Sequence, residues 1–181
     1  MNQPIGIAPA LRPQEAQERH TLSVLVDNEP GVLARVIGLF SGRGYNIDSL
    51  TVSETEHERG LSRITIVTTG TPMVIEQIRH QLARLVPVHR VSDLTADKRD
   101  SVERELALVK VQGRGDARVE ALRLAQAFDA RTIDATLESF VFEITGSTSD
   151  IERFVALMAS VGLVEVSRTG IAAITRGKDP T

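Results

Sequence analysis

The sequence contains no cysteine. That excludes disulfides, thiolate zinc sites and thiol nucleophiles together, and it fits a reducing cytoplasm. Aromatic residues make up only 3% of the 181 residues. No apolar run approaches the ~18 residues of a membrane-spanning helix. No charge of one sign dominates: the formal net charge is -3, so bulk electrostatics favour neither nucleic acid nor an anionic membrane. What is present is ordinary for a soluble globular protein, with 41% hydrophobic and 25% charged residues. The length holds one large domain or two small ones. The first 19 residues carry Pro4, Pro9 and Pro13 and end in Gln14-Glu15-Ala16-Gln17-Glu18-Arg19. They lack a basic start followed by an apolar run, so they read as a flexible tail and not a signal peptide.

After the tail, one pattern is written twice. Thr21 to Val26 is rich in β-branched residues and leucine and predicts a strand. Leu33, Val36, Ile37 and Phe40 fall on one face of a helix over Val32 to Phe40. Ser41-Gly42-Arg43-Gly44 ends that helix. Asn46 to Ser53 predicts a second strand, Glu54 to Gly60 a charged turn, and Leu61 to Thr68 a third strand, where Ile64 and Ile66 alternate with Arg63 and Thr65. Pro72 opens a second helix with Ile75, Ile78, Leu82 and Leu85 inward, and Val86 to Leu94 closes the unit as a fourth strand. A charged link, Asp97 to Glu105, marks a boundary. The order then recurs. Leu106 to Gln112 is a strand, and Ala117 to Phe128 a helix with Val119, Leu122 and Ala125 inward. Thr132 to Leu137 and Phe140 to Thr145 are strands, and Ile151 to Val161 a helix with Phe154, Leu157 and Met158 inward. Leu163 to Val166 and Gly170 to Ile174 are short final strands. The fold class is α+β, two tandem ferredoxin-like βαββαβ units, with a tail at 1–19 and units at 20–95 and 96–181. In such a unit both helices cover one sheet face. Leu25, Val67 and Leu61 are expected on or near the open face of the first unit, which predicts a homodimer.

Several functions lack the residues they need. RNA-binding domains of this topology stack bases on aromatic side chains of the central strands, and neither Thr21–Val26 nor Leu61–Thr68 contains one. His20, His57, His80 and His89 stand apart, and none forms a set with metal-ligand spacing. Each is better read as solvated or structural, as for His57 in its charged turn. Thr145-Gly146-Ser147-Thr148-Ser149-Asp150 precedes a helix and reads as a cap; a serine nucleophile would need a base that the sequence does not offer. Gly113-Arg114-Gly115-Asp116-Ala117-Arg118 looks superficially like a dinucleotide loop, but Arg118 stands in place of the third glycine and a turn explains it.

The stretch Asp27-Asn28-Glu29-Pro30-Gly31-Val32-Leu33 carries more information than any other. It joins a strand to a helix. Pro30 fits a first helical position, and Gly31 leaves the N–H groups of the helix start uncovered. Those groups and the helix dipole attract an anion such as a carboxylate. Asn28 donates and accepts beside them. A small ligand with a carboxylate and an amine finds both kinds of partner here. Gly31 is also explicable by close helix–strand packing, and Asn46 alone is an ordinary strand-start asparagine.

Asn28 to Val36, followed by Phe40-Ser41-Gly42-Arg43-Gly44-Tyr45-Asn46-Ile47-Asp48-Ser49-Leu50, resembles the regulatory (small) subunit of acetolactate synthase, also called acetohydroxyacid synthase. The likeness continues through Leu61-Ser62-Arg63, Val91-Ser92-Asp93-Leu94, Glu103-Arg104-Glu105-Leu106 and Leu108-Val109-Lys110-Val111, and returns at Glu165-Val166-Ser167-Arg168-Thr169-Gly170. It covers about residues 20 to 177. Asp27 to Leu33 alone would indicate only an ACT domain, a common amino-acid-sensing module. The run through Tyr45-Asn46-Ile47 points to this family.

The resemblance implies an N-terminal ACT domain and an ACT-like C-terminal domain. It implies a non-catalytic subunit, in agreement with the missing general base cluster. Its catalytic (large) partner would condense pyruvate with pyruvate or 2-oxobutyrate, using thiamine diphosphate, Mg²⁺ and FAD. No cofactor or metal is expected in this chain. The family's small subunit raises its partner's activity and makes it sensitive to a branched-chain amino acid, usually valine. By resemblance the effector contacts fall on Asn28, Gly31 and Asn46, with Val32, Leu33 and Ile47 on the apolar side. The C-terminal unit, about Val102 to Arg176, is expected to contribute to contact with the catalytic subunit and not to hold the principal effector site, since Gly113-Arg114-Gly115-Asp116 lacks the Asn-x-x-Gly arrangement at the equivalent first turn. The alternatives are a stand-alone amino-acid-sensing ACT protein acting on another enzyme, and an enzyme of ferredoxin-like fold. The expected location is the cytoplasm.

Overall fold

A computed structural model describes residues 16–56, 59–95 and 101–181. Its elements run β1 Glu18–Asp27, α1 Val32–Arg43, β2 Ser49–Glu56, β3 Leu61–Gly70, α2 Pro72–Ala83, β4 Val88–Asp93, β5 Ser101–Gln112, α3 Asp116–Ala127, β6 Arg131–Ala135, β7 Ser139–Gly146, α4 Thr148–Ala159 and β8 Leu163–Thr175. They build two antiparallel sheets, ordered β2-β3-β1-β4 and β6-β7-β5-β8. This is βαββαβ twice, with the central strands of each sheet being the first and third of its unit. The alternation of β1 and β3 decides which residues meet the helices. Leu22 pairs with Ile66 and Val24 with Ile64, and all four are buried with Val36 and Phe40 of α1 and Ile75, Ile78 and Leu82 of α2. Both helices therefore cover one face. The second unit repeats this with Ala107, Val109, Phe142 and Ile144 beneath Ala121, Ala125, Ile151, Phe154 and Met158.

The other face of the first sheet is not bare, contrary to the sequence expectation. Val67 is fully buried, in a cluster with Leu94, Ile171 and Ala173. Leu25 and Leu61 are half-buried. The cover comes from the second half of β8, paired to the first half of β5 from Ser101↔Thr175 to Glu105↔Ile171. Contrary to the expected link, Ser101 to Glu105 is strand, and the buried Glu105 carboxylate is neutralised by Arg168, whose Nε and Nη2 donate to it at 2.7 and 2.6 Å. Residues 97–100 of that link lie outside the described residues, as do residue 96, His57 and residues 1–15 of the tail. Glu18 and Arg19 of the tail already belong to β1.

The two expected final strands are one. The gap between them is a β-bulge, where the register slips between Glu105 and Ala107 and Gly170 takes φ +80°. A glycine in the left-handed region is what such a bulge requires. A Cβ on Gly170 would stand 2.7 Å from Ser49 Oγ and 2.8 Å from Thr51 Oγ1, so the bulge is also where the two units touch.

Helix faces differ from the sequence expectation. In α1 the buried stripe is Val32, Val36 and Phe40, and Leu33 and Ile37 are each 36% exposed. In α3 Ala121 and Ala125 are buried, and the expected inward residues Val119 and Leu122 lie on the exposed side. Small residues let that helix lie close to the sheet, and Phe128, Phe142 and Phe154 fill the space beside it. In α4 Ile151 replaces Leu157 on the inner face. The chain is still turning at Val86, which is exposed, so β4 starts at Val88, two residues later than expected.

Candidate effector site

Glu29-Pro30-Gly31-Val32 is a β-turn closed by the Val32 N–H on the Glu29 carbonyl at 3.4 Å. Gly31 has φ 86° and ψ -8°, the third position of a type II turn, which favours proline just before it. Pro30 is thus the second turn residue and not the first helical one. Gly31 is the N-cap of α1 and gives no side-chain cap. The alternative reading of Gly31 as a packing glycine fails, because a Cβ there would meet nothing within 4 Å. What Gly31 supplies is backbone conformation. The first i→i−4 bond of α1 runs from the Arg35 N–H to the Gly31 carbonyl at 3.1 Å, so the N–H groups of Leu33 and Ala34 precede the helical ladder. The first turn of α1 holds no acidic residue. The equivalent helix of the second unit, α3, has Asp116 in its first turn, a carboxylate that opposes any arriving anion. Helices α2 and α4 are capped by Thr71 and Ser147 side chains.

Asn46 and Ile47 lie in the loop before β2, not in the strand as expected. Tyr45 and Ile47 pack against the core, with the Tyr45 ring edge-on to Phe40 at 6.1 Å. Asn46 between them faces outward and is exposed. Thr68 Oγ1 donates to the Asn46 carbonyl at 2.6 Å, and the Asp48 N–H to the Val67 carbonyl at 2.8 Å. The Asn46 Nδ2 donates to Asp48 Oδ1 at 2.6 Å. Asp48 Oδ2 also accepts from Thr69 Oγ1 at 2.7 Å.

The six expected site residues therefore fall into two groups. Asn28, Gly31, Val32 and Leu33 sit at the start of β3, where the Asn28 N–H donates to the Gly60 carbonyl at 2.7 Å. Asn46 and Ile47 sit at its end, beside Val67 and Thr68. At about 3.4 Å per residue, β3 separates the groups by roughly 25 Å. Within one chain no single amino acid touches both. Sequence reasoning missed Asp48 and Thr69. Their signal was the Asn-x-Asp spacing, which permits a local side-chain bond, but nothing in the sequence placed Thr69 opposite it.

Residues 22–90 match the family described as AHAS small subunit-like ACT domain, and residues 104–177 match the one described as small subunit of acetolactate synthase. A probable acetolactate synthase small subunit of Archaeoglobus fulgidus is 46% identical over 159 residues, 88% of this chain and 98% of that one. The chain belongs to the acetolactate synthase small-subunit family. The acetolactate synthase isozyme 3 small subunit of Escherichia coli is likewise 46% identical, over 88% of this chain and 96% of its own. Among solved structures, the acetolactate synthase small subunit of Thermotoga maritima superposes with a TM-score of 0.81 at 40% identity, covering 90% of this chain and 99% of that one. The tandem ferredoxin-like fold is that of the family.

Among the described residues no group of three or more His, Asp or Glu is arranged to hold a metal ion, and no helix is long and apolar enough to cross a membrane. The three described histidines serve as local ties: His20 Nδ1 meets Asp93 Oδ2 at 2.8 Å, joining β1 to β4, and His89 Nε2 meets Asp27 Oδ1 at 2.6 Å. His80 pairs with Glu76 one helical turn away at 3.0 Å. The Ser147 hydroxyl is a helix cap, as expected, accepting from the Asp150 N–H at 3.2 Å.

Proposed function

We propose that this chain is the regulatory subunit of an acetolactate synthase in branched-chain amino-acid biosynthesis. It binds the large, catalytic subunit, raises its activity and makes it sensitive to feedback by a branched-chain amino acid, with valine the leading effector. Thiamine diphosphate, Mg²⁺ and FAD belong to the partner. The unit at 20–95 carries the effector, and the unit at 96–181 contributes to contact with the large subunit in the cytoplasm.

One observation supports the site most directly: α1 begins at a glycine with no side-chain cap and no acidic residue in its first turn. That start suits a ligand carboxylate. The ammonium then needs an acceptor, and Asn46 is roughly 25 Å away along β3. A second copy of the chain resolves this by bringing its own Asn46–Ile47 loop to the turn at Asn28–Leu33. Exposed Leu33 and Ile37 on the flank of α1 favour the same homodimer, since an apolar edge beside the turn gains from being covered. The split site, not a bare sheet face, favours the dimer.

The deciding experiment measures acetolactate formation by the large subunit with and without this chain, titrated with valine, leucine and isoleucine in turn. Faster turnover with the chain, reversed by one or more of the three, is expected. Unchanged turnover in the presence of the chain would refute the regulatory reading.

A further inference from the structure

The Asn46–Asp48 pair decides which end of the Asn46 amide is left for a ligand. A carboxylate offers only acceptors, whereas an amide offers both kinds of group. Because Asp48 Oδ1 lies 2.6 Å from the Asn46 side chain, the end turned toward it is the NH₂ group. The oxygen is therefore the outward end. Both partners are held from behind: Thr68 Oγ1 fixes the Asn46 carbonyl, the Val67 carbonyl fixes the Asp48 N–H, and Thr69 Oγ1 holds the second Asp48 oxygen at 2.7 Å. We infer that Asp48 is a positioning residue that presents Asn46 as an acceptor, and so makes the site select ligands with a free α-ammonium over the corresponding 2-oxo acids.

This rests on the effector reading above. An ammonium has three donors and no acceptor, and it matches the outward amide oxygen. A 2-oxo acid with the same side chain brings a carbonyl instead, and two oxygens face each other. Without Asp48 the amide is free to turn over and offer its NH₂ group to that carbonyl. Loss of Asp48 should thus weaken valine binding and relax discrimination, which simple loosening of the loop would not do. Thr69 acts one step further back, through Asp48.

The test compares valine and 3-methyl-2-oxobutanoate by calorimetry on the full chain. Wild type should prefer valine strongly. Asp48→Ala should lower that preference by about tenfold or more, roughly 1.4 kcal/mol, and Asp48→Asn should lower it less. Thr69→Ala should move it in the same direction, and Thr69→Ser should restore it. A readout independent of ligand is the Asn46 side-chain amide in the NMR spectrum. One of its protons should be protected from exchange in wild type and lose that protection in Asp48→Ala. Equal loss of affinity for both ligands, or an unprotected amide in wild type, overturns the inference. If wild type binds valine and Gly31→Asp abolishes it while the Asp48 variants keep the full preference, the effector site stands and only this assignment falls. If wild type binds no branched-chain amino acid, the site reading itself falls.

Discussion

Replacing Gly31 by Asp should remove valine binding while leaving the fold and the activation of the large subunit in place. The added Cβ meets no atom within 4 Å, so the change causes no clash inside the chain. It does impose a side chain on a residue at φ 86°, a strain of about 1–2 kcal/mol for most residues and less for Asp or Asn. Gly31→Asn carries the same backbone strain at nearly the same volume without the charge, so the difference between the two variants isolates the electrostatics. Two like charges about 4 Å apart repel by about 1 kcal/mol in water and about 4 kcal/mol at an effective dielectric of 20. A site closed by a second copy lies between these limits. About 3 kcal/mol weakens binding roughly a hundredfold. Calorimetric titration of each variant with valine gives the affinity, and acetolactate production by the reconstituted enzyme gives activation and inhibition. Inhibition depends on coupling between effector and active site, so it should disappear with binding. Gly31→Asp binding as tightly as Gly31→Asn in a folded protein would refute the placement of the ligand carboxylate.

The split site predicts complementation. Asn28→Ala and Asn46→Ala homodimers should each bind valine about five- to thirtyfold more weakly, for about 1–2 kcal/mol of lost hydrogen bonding, while a mixed dimer regains one intact site and half the wild-type binding capacity. Gly170→Ala forces a Cβ to within 2.8 Å of both Ser49 Oγ and Thr51 Oγ1; thermal unfolding should show a loss of about 1–3 kcal/mol, partly recovered when Ser49→Ala and Thr51→Ala are added. Truncation after Asp97 strips Ile171 and Ala173 from Val67 and Leu94, so the remaining unit should keep valine binding but melt at a lower temperature; lost binding in a folded fragment would contradict the division of labour. Asp150 is held below the ordinary aspartate value, first by Ser147 Oγ at 2.6 Å and then by Arg153. Its stabilisation is present above the unfolded value near 4 and is lost as pH falls through the lower folded value, so Asp150→Asn should flatten the acid limb of a melting-temperature profile.

Sequence alone determined the periodicities, the two βαββαβ units and the Pro30-Gly31 turn that opens α1. These are legible because alternation along β1 and β3, helical spacing in α2 and the Pro-Gly pair are local properties of the chain. Only the tertiary structure decided the rest. The stretch from Ser101 to Glu105 reads as a charged link until its strand pairing and the Arg168 partner of Glu105, 63 residues away, are known. Val67 reads as an open-face residue until β8 is laid across it. Val119 and Ala121 differ by two positions, about 200° around a helix of 3.6 residues per turn, and which of them turns inward depends on the room left beside Phe142 and Phe154. The separation of Gly31 from Asn46 is likewise set by sheet register: they are 15 residues apart in sequence, yet α1 and β3 carry them to opposite ends of the sheet. Local preference names the elements, but pairing partners distant in the chain decide which faces are dry and which groups can meet one ligand.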